Sequence, residues 1–166
     1  MARRHLARER AVLFGVAFVA ALLAIGTALL SGPVLVVEDI DTTERYITQP
    51  VDDGTTVGLT YTHSVEKSRV YDEYRVRDNR LVNTRMEFES YGWGLPAGAN
   101  VTTVNGTFVY DPASPIAEFD SLSVSPGRVA GHTLIIGGRQ YDLVETTNAS
   151  DVRIYVERRS LPDLFT

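Results

Sequence analysis

The residues best equipped for chemistry lie in one stretch, His63-Ser-Val-Glu66, followed by Asp72 and Glu73. An imidazole beside carboxylates is the raw material of an acid/base pair or a small metal cluster. The other histidines are His5, in the basic N-terminal tail, and His132, far away in sequence. A three-histidine zinc site is therefore excluded beyond the tail. The alternative role for His63 is structural: a ring at a strand end, bonded to Glu73 or to a backbone group. That is the reading taken here, and no metal or cofactor is expected.

A second stretch, Ser90-Tyr-Gly-Trp-Gly-Leu-Pro-Ala-Gly98, holds the only tryptophan among three glycines. Gly92 to Ala97 matches the dinucleotide fingerprint G-x-G-x-x-A. Pro96 and the hairpin beyond it leave no helix N-terminus for a pyrophosphate, so the match is set aside. The stretch reads instead as a contact surface or a tight crossover, with Trp93 either a core plug or a binding anchor. Glu38, Asp39, Asp41 and Glu44 lack the spacing and glycine of a calcium loop and read as a solvated acidic run. There is no G-x-S-x-G, P-loop or H-E-x-x-H motif. With no cysteine, disulfides, thiolate metal sites and thiol catalysis are excluded.

The elements that must position these residues are strands. Beyond residue 33 the apolar pattern shows no sustained helical period, only short β-branched runs between turn signals. The expected strands are 34–38, 45–48, 55–63, 69–77, 81–89, 101–104, 107–111, 117–124, 132–136, 139–145 and 151–158. Asn105-Gly106 and Gly137-Gly138 are two-residue hairpin signals. The expected fold is all-β, an antiparallel sandwich or partly open barrel, preceded by one N-terminal transmembrane helix.

The hairpin 69–89 has a testable register. A loop at Asp78-Asn79-Arg80 would pair Val76 with Val82, Tyr74 with Thr84, Asp72 with Met86 and Val70 with Phe88. Glu73 then faces Arg85, an opposite-charge cross-strand pair, while Asp72 points inward and needs a partner. This register suggests one polar cluster of His63, Glu73, Arg85 and Tyr91, closed over by Gly92, Trp93 and Gly94.

Residues 11–30 carry no charge. Twenty helical residues span about 30 Å, the hydrocarbon thickness of a bilayer. The run exceeds the apolar core of a cleaved leader and reads as a retained signal-anchor. The organisation expected is a cytoplasmic basic tail at 1–10, a span at 11–32 and an extracytoplasmic β-domain at 33–166. Residues 1–32 hold four arginines and one acid, a net +3. That asymmetry places the N-terminus inside and the domain outside a cell membrane crossed once. Ala20, Ala24, Ala28 and Gly32 share one helix face, plain filler or the docking stripe for another membrane helix.

The remaining domain has 12 basic and 20 acidic residues, a net −8, which argues against nucleic-acid binding. Arginine outnumbers lysine 15 to 1. An acidic surplus with one lysine leans towards a salt-adapted, halophilic protein. Asn100, Asn105 and Asn148 open N-x-S/T sequons in expected turns and are glycosylation candidates.

The pieces THSVEKSRVYDEYRV (62–76) and ESYGWGLPA (89–97) resemble an uncharacterised bacterial and archaeal family, a domain of unknown function encoded beside TAXI-type TRAP transporters. Its pattern matches His63, Ser64, Val65, Glu73, Ser90, Tyr91, Gly92, Gly94, Leu95 and Pro96. Trp93 stands where the pattern has a small residue. The resemblance implies association with membrane transport, with transporter membrane subunits as partners, and not a reaction. The expected function is therefore a membrane-anchored accessory or interaction domain. A small-solute-binding module is the alternative, and a hydrolase using His63 with a carboxylate the third.

Overall fold

The computed structural model describes residues 32–91 and 100–159. Residues 1–31, which include all but the last residue of the expected span, and residues 92–99 and 160–166 lie outside the described residues. Among those described, no helix is long and apolar enough to cross a membrane. The fold below is that of the compact unit Pro33–Glu157.

The unit is all-β, built of antiparallel sheets that do not close into a barrel. Its strands are β1 (Pro33–Asp39), β2 (Arg45–Pro50), β3 (Thr56–Thr62), β4 (Arg69–Arg77), β5 (Arg80–Phe88), β6 (Thr102–Val104) and β7 (Thr107–Tyr110). They continue with β8 (Ala117–Phe119), β9 (Ser121–Val124), β10 (Thr133–Ile136), β11 (Arg139–Asp142) and β12 (Val152–Arg158). A small sheet has the order β2-β1-β12-β9; a large one runs β11-β10-β3-β4-β5-β7-β6, with β8 also on β5. Leu35, Val37, Ile47, Val152 and Ile154 of the small sheet share one core with Val57, Leu59, Val76, Leu81 and Leu134 of the large one. Two sheets with facing apolar sides make the sandwich of the two expected alternatives.

Local sequence explains most of the elements. β4 alternates buried and less buried residues along its length, the period-two signature of a strand with one face on a core. Asn105-Gly106 and Gly137-Gly138 make the expected two-residue turns, with positive φ at all four residues.

Three local expectations change. First, the β4–β5 hairpin turns on two residues, Asp78 and Asn79 (φ 51° and 59°), with Arg77 opposite Arg80. That turn matches strand twist better than a three-residue loop. Val76 therefore faces Leu81, not Val82, and Tyr74 faces Asn83, not Thr84. A bulge between Glu73 and Tyr74 absorbs the slip, and beyond it the expected pairs stand: Glu73 with Arg85, Asp72 with Met86, Val70 with Phe88. Second, the run 117–124 breaks at Asp120. β8 pairs with β5 in the large sheet and β9 with β12 in the small one, so the chain turns a corner between sheets. Third, the run 139–145 ends as α1 (Leu143–Thr146), one helical turn capped by the Asp142 side chain on the Glu145 N–H at 3.1 Å.

Candidate functional site

One end of the large sheet gathers the motif-bearing segments. β3 ends at Thr62, and the chain turns through 63–68 into β4. The His63 N–H donates to the Ser68 carbonyl at 2.8 Å, and the Lys67 N–H to the His63 carbonyl at 3.0 Å. Inside this turn His63 Nδ1 accepts the N–H groups of Val65 and Glu66, each at 3.3 Å. Nδ1 is thus the acceptor that closes this turn.

Ser68 Oγ lies 2.7 Å from Ser90 Oγ, joining the two motifs at the open end of the β4–β5 hairpin. Tyr91 follows, packed 4.5 Å from Phe108 and 5.2 Å from Phe88, centroid to centroid. The β5–β7 register sets Phe88 opposite Phe108, which brings the Asn105-Gly106 turn to the same end. The 125–131 loop joins them through the Thr62 N–H to Ala130 carbonyl bond at 2.8 Å. On the tips of these segments Val65, Tyr91, Val104 and Val129 are 68%, 47%, 54% and 81% exposed. Ile40 completes the exposed large apolar side chains among the described residues.

Glu73 and Arg85 lie elsewhere, on the outer face of the large sheet. Arg85 donates from Nε and Nη2 to Glu87 Oε1, at 3.0 and 2.8 Å, and approaches Asp111 at 3.7 Å. Glu73 receives Thr84 Oγ1 at 3.4 Å and Arg75 at 3.5 Å. The ladder pairs Glu73 with Gly58, five residues from His63, or about 16 Å of strand. The four residues drawn together in the sequence reading thus fall into two groups, His63 with Tyr91 at the sheet end and Glu73 with Arg85 on the outer face. Gly92, Trp93 and Gly94 lie outside the described residues.

The inner face carries polar residues, of which the sequence pointed only to Asp72. Asp72 is 7% and Asn83 6% exposed. The Tyr61 hydroxyl donates to the Asp72 carboxylate, and the Asn83 amide bonds the Tyr74 oxygen. His132 stacks on Tyr61 at 5.2 Å and 16°. Burial pushes the Asp72 carboxyl up to about 6, the Tyr61 bond only partly opposing it. Burial lowers His132 and keeps its ring neutral. Asp72 was visible beforehand as an inward misfit. The signal missed for His132 is its place just before β10, where the register sets it opposite Tyr61.

The small sheet corrects the reading of the acidic run. Glu38 and Asp39 are buried, not solvated. Glu38 bonds Arg153 (Nε at 3.2 Å, Nη2 closer) and accepts the Tyr155 hydroxyl at 2.7 Å. Burial alone would push its carboxyl up; the bonds from Arg153 and Tyr155 outweigh it and hold it below the usual range. Asp39 accepts the N–H groups of Thr42 and Asp41 at 2.8 and 2.9 Å and the Tyr46 hydroxyl at 3.1 Å. Beside Glu38, Asp120, Ser121, Arg153 and Tyr155 line an open groove of about 330 Å³.

Asn100, Asn105 and Asn148 are all exposed, and Arg128 donates to the Asn148 side chain at 3.2 Å. Among the described residues no three His, Cys, Asp or Glu side chains group as metal ligands.

Comparison with curated proteins and with solved structures finds no match. A family model does match, over residues 57–143, the stretch from β3 to the start of α1 that contains both motifs and the Tyr61–Asp72 pair. It covers more than half of the chain, which therefore belongs to the family described as a domain of unknown function, DUF1850.

Proposed function

We propose that the chain is a membrane-anchored, outward-facing accessory domain that works beside a TRAP-type (TAXI) solute transporter and docks through the motif-bearing end of its large sheet. The observation that carries this reading is the grouping of Val65, Tyr91, Val104 and Val129 on neighbouring turns there. Apolar tips clustered at one end of a domain of net charge −8 are a contact surface rather than a solubilising one.

The test is gentle detergent extraction of the tagged full-length chain, wild type and a Val65→Asp, Tyr91→Asp, Val129→Asp variant, in parallel. A transporter subunit should accompany the wild type and be lost from the variant. Equal recovery with both, or none with either, rejects the reading.

A small-solute-binding module is the second reading, favoured by the groove at Arg153 and Tyr155. Small carboxylic acids titrated against wild type and Tyr155→Phe would test it. A hydrolase using His63 with Glu66 or Glu73 draws least support: Glu73 lies about 16 Å of strand away, and the His63 ring nitrogen Nδ1 is engaged by the Glu66 backbone.

A further inference from the structure

We propose that Asp72 is a proton-binding site on the inner face of the large sheet, seated beneath the motif-bearing end with Tyr61 as its bonded partner. The register gives Asp72 apolar neighbours on both sides, Leu59 on β3 and Met86 on β5. Its charged sequence neighbours, Glu73 and Arg75, alternate to the outer face, as do Arg85 and Glu87. The group bonded to it is Tyr61 from β3; Tyr74 of β4 shares its face, and next to these come Asn83 of β5, beside Tyr74, and His132 before β10, stacked on Tyr61. All are neutral, burial pushing both phenols up and the imidazole down. The small sheet turns valine, leucine and isoleucine towards the shared core.

Asp72 Oδ1 is buried without a hydrogen-bond partner, as are Asn83 Oδ1 and His132 Nδ1. The carboxylate keeps an unfilled acceptor, Oδ1, and has no donor beyond Tyr61. An ionised carboxylate here has one hydroxyl donor and no cation, an expensive arrangement in an apolar interior. A single proton relieves both deficits: it removes the charge and converts Asp72 from an acceptor into a donor. The burial that creates the need also sets the range, raising the carboxyl to about 6. Its partner Tyr61 stacks on His132, and the 125–131 loop that leads into His132 is tied to β3 at Thr62. Proton occupancy at Asp72 thus acts on the base of the motif-bearing end, and the assignment stands whether or not that end docks a transporter.

The experiment is an infrared titration of the full-length protein in detergent, following the carbonyl band of a protonated carboxylic acid. The difference between wild type and Asp72→Asn should show one such band with a midpoint near pH 6. Tyr61→Phe, which deletes the donor to the carboxylate, should move the midpoint upward. A difference band titrating near the ordinary aspartate value of about 4 overturns the proposal. So does a midpoint unmoved or lowered in Tyr61→Phe.

Discussion

Arg85 stands directly across the ladder from Glu73, yet its guanidinium turns along its own strand to Glu87, at 2.8 and 3.0 Å. Register places charges opposite each other; side-chain geometry then chooses the partner. Glu87 also draws Arg69 at 3.7 Å, and the Arg69 guanidinium lies 5.6 Å from the Tyr71 ring centroid. The hub of this face is Glu87.

Glu73→Ala should therefore cost little, below about 1 kcal/mol, because its contacts are long and its partners half exposed. Glu87→Ala should cost more, about 1–2 kcal/mol, through the loss of two charge-assisted bonds from Arg85. Urea melts of the two variants rank them. A larger loss in Glu73→Ala would mean that the outer face pairs differently.

His63→Ala removes the acceptor for two backbone N–H groups and should destabilise by about 1 kcal/mol. His63→Asn should recover most of that loss, since its Oδ1 occupies the place of Nδ1 in an Asx-type turn. Amide exchange at Val65 and Glu66 is the direct readout: faster in Ala, near wild type in Asn. Equal exchange in both variants would deny the ring this role.

Asp72 and Glu38 should give opposite pH dependences. Asp72 is raised in the folded state, from 3.8 to about 6. Its contribution to stability is fully present below the unfolded value and lost as pH rises through 6. Asp72→Asn should thus gain up to about 3 kcal/mol at pH 8 relative to wild type, and the gain should vanish near pH 4. Denaturation midpoints across that range test it.

Glu38 is lowered in the folded state, so its contribution is present above about 4.5 and lost as pH falls through its folded value. Glu38→Ala should cost about 1–3 kcal/mol at neutral pH, when Tyr155 and Arg153 lose their acceptor. Arg153→Ala should also lower the midpoint, leaving the buried carboxylate to Tyr155 alone. Neutral-pH melts that do not shift in either variant would contradict this pairing.

Strand order along the chain was legible because its causes are local. Alternation in Val70–Val76 and the dipeptides Asn105-Gly106 and Gly137-Gly138 act through neighbouring dihedrals and side-chain period, whatever surrounds them. The membership of His63 and Ser90 in one site was half legible: both end strands, and the hairpin between them brings strand ends together. Three things needed the tertiary structure. Asp120 separates two strands only because a second sheet offers β12 as a partner for Ser121–Val124. Glu38 is buried only because Arg153 and Tyr155 arrive from 115 and 117 residues away. Asp72, Asn83 and His132 share the inner face because a bulge turns Asn83 inward and β10 lies beside β3. Turn and period are properties of a few consecutive residues. Burial, charge partners and the proton affinity of Asp72 depend on which distant strands close over them, and that is decided by packing two sheets at once.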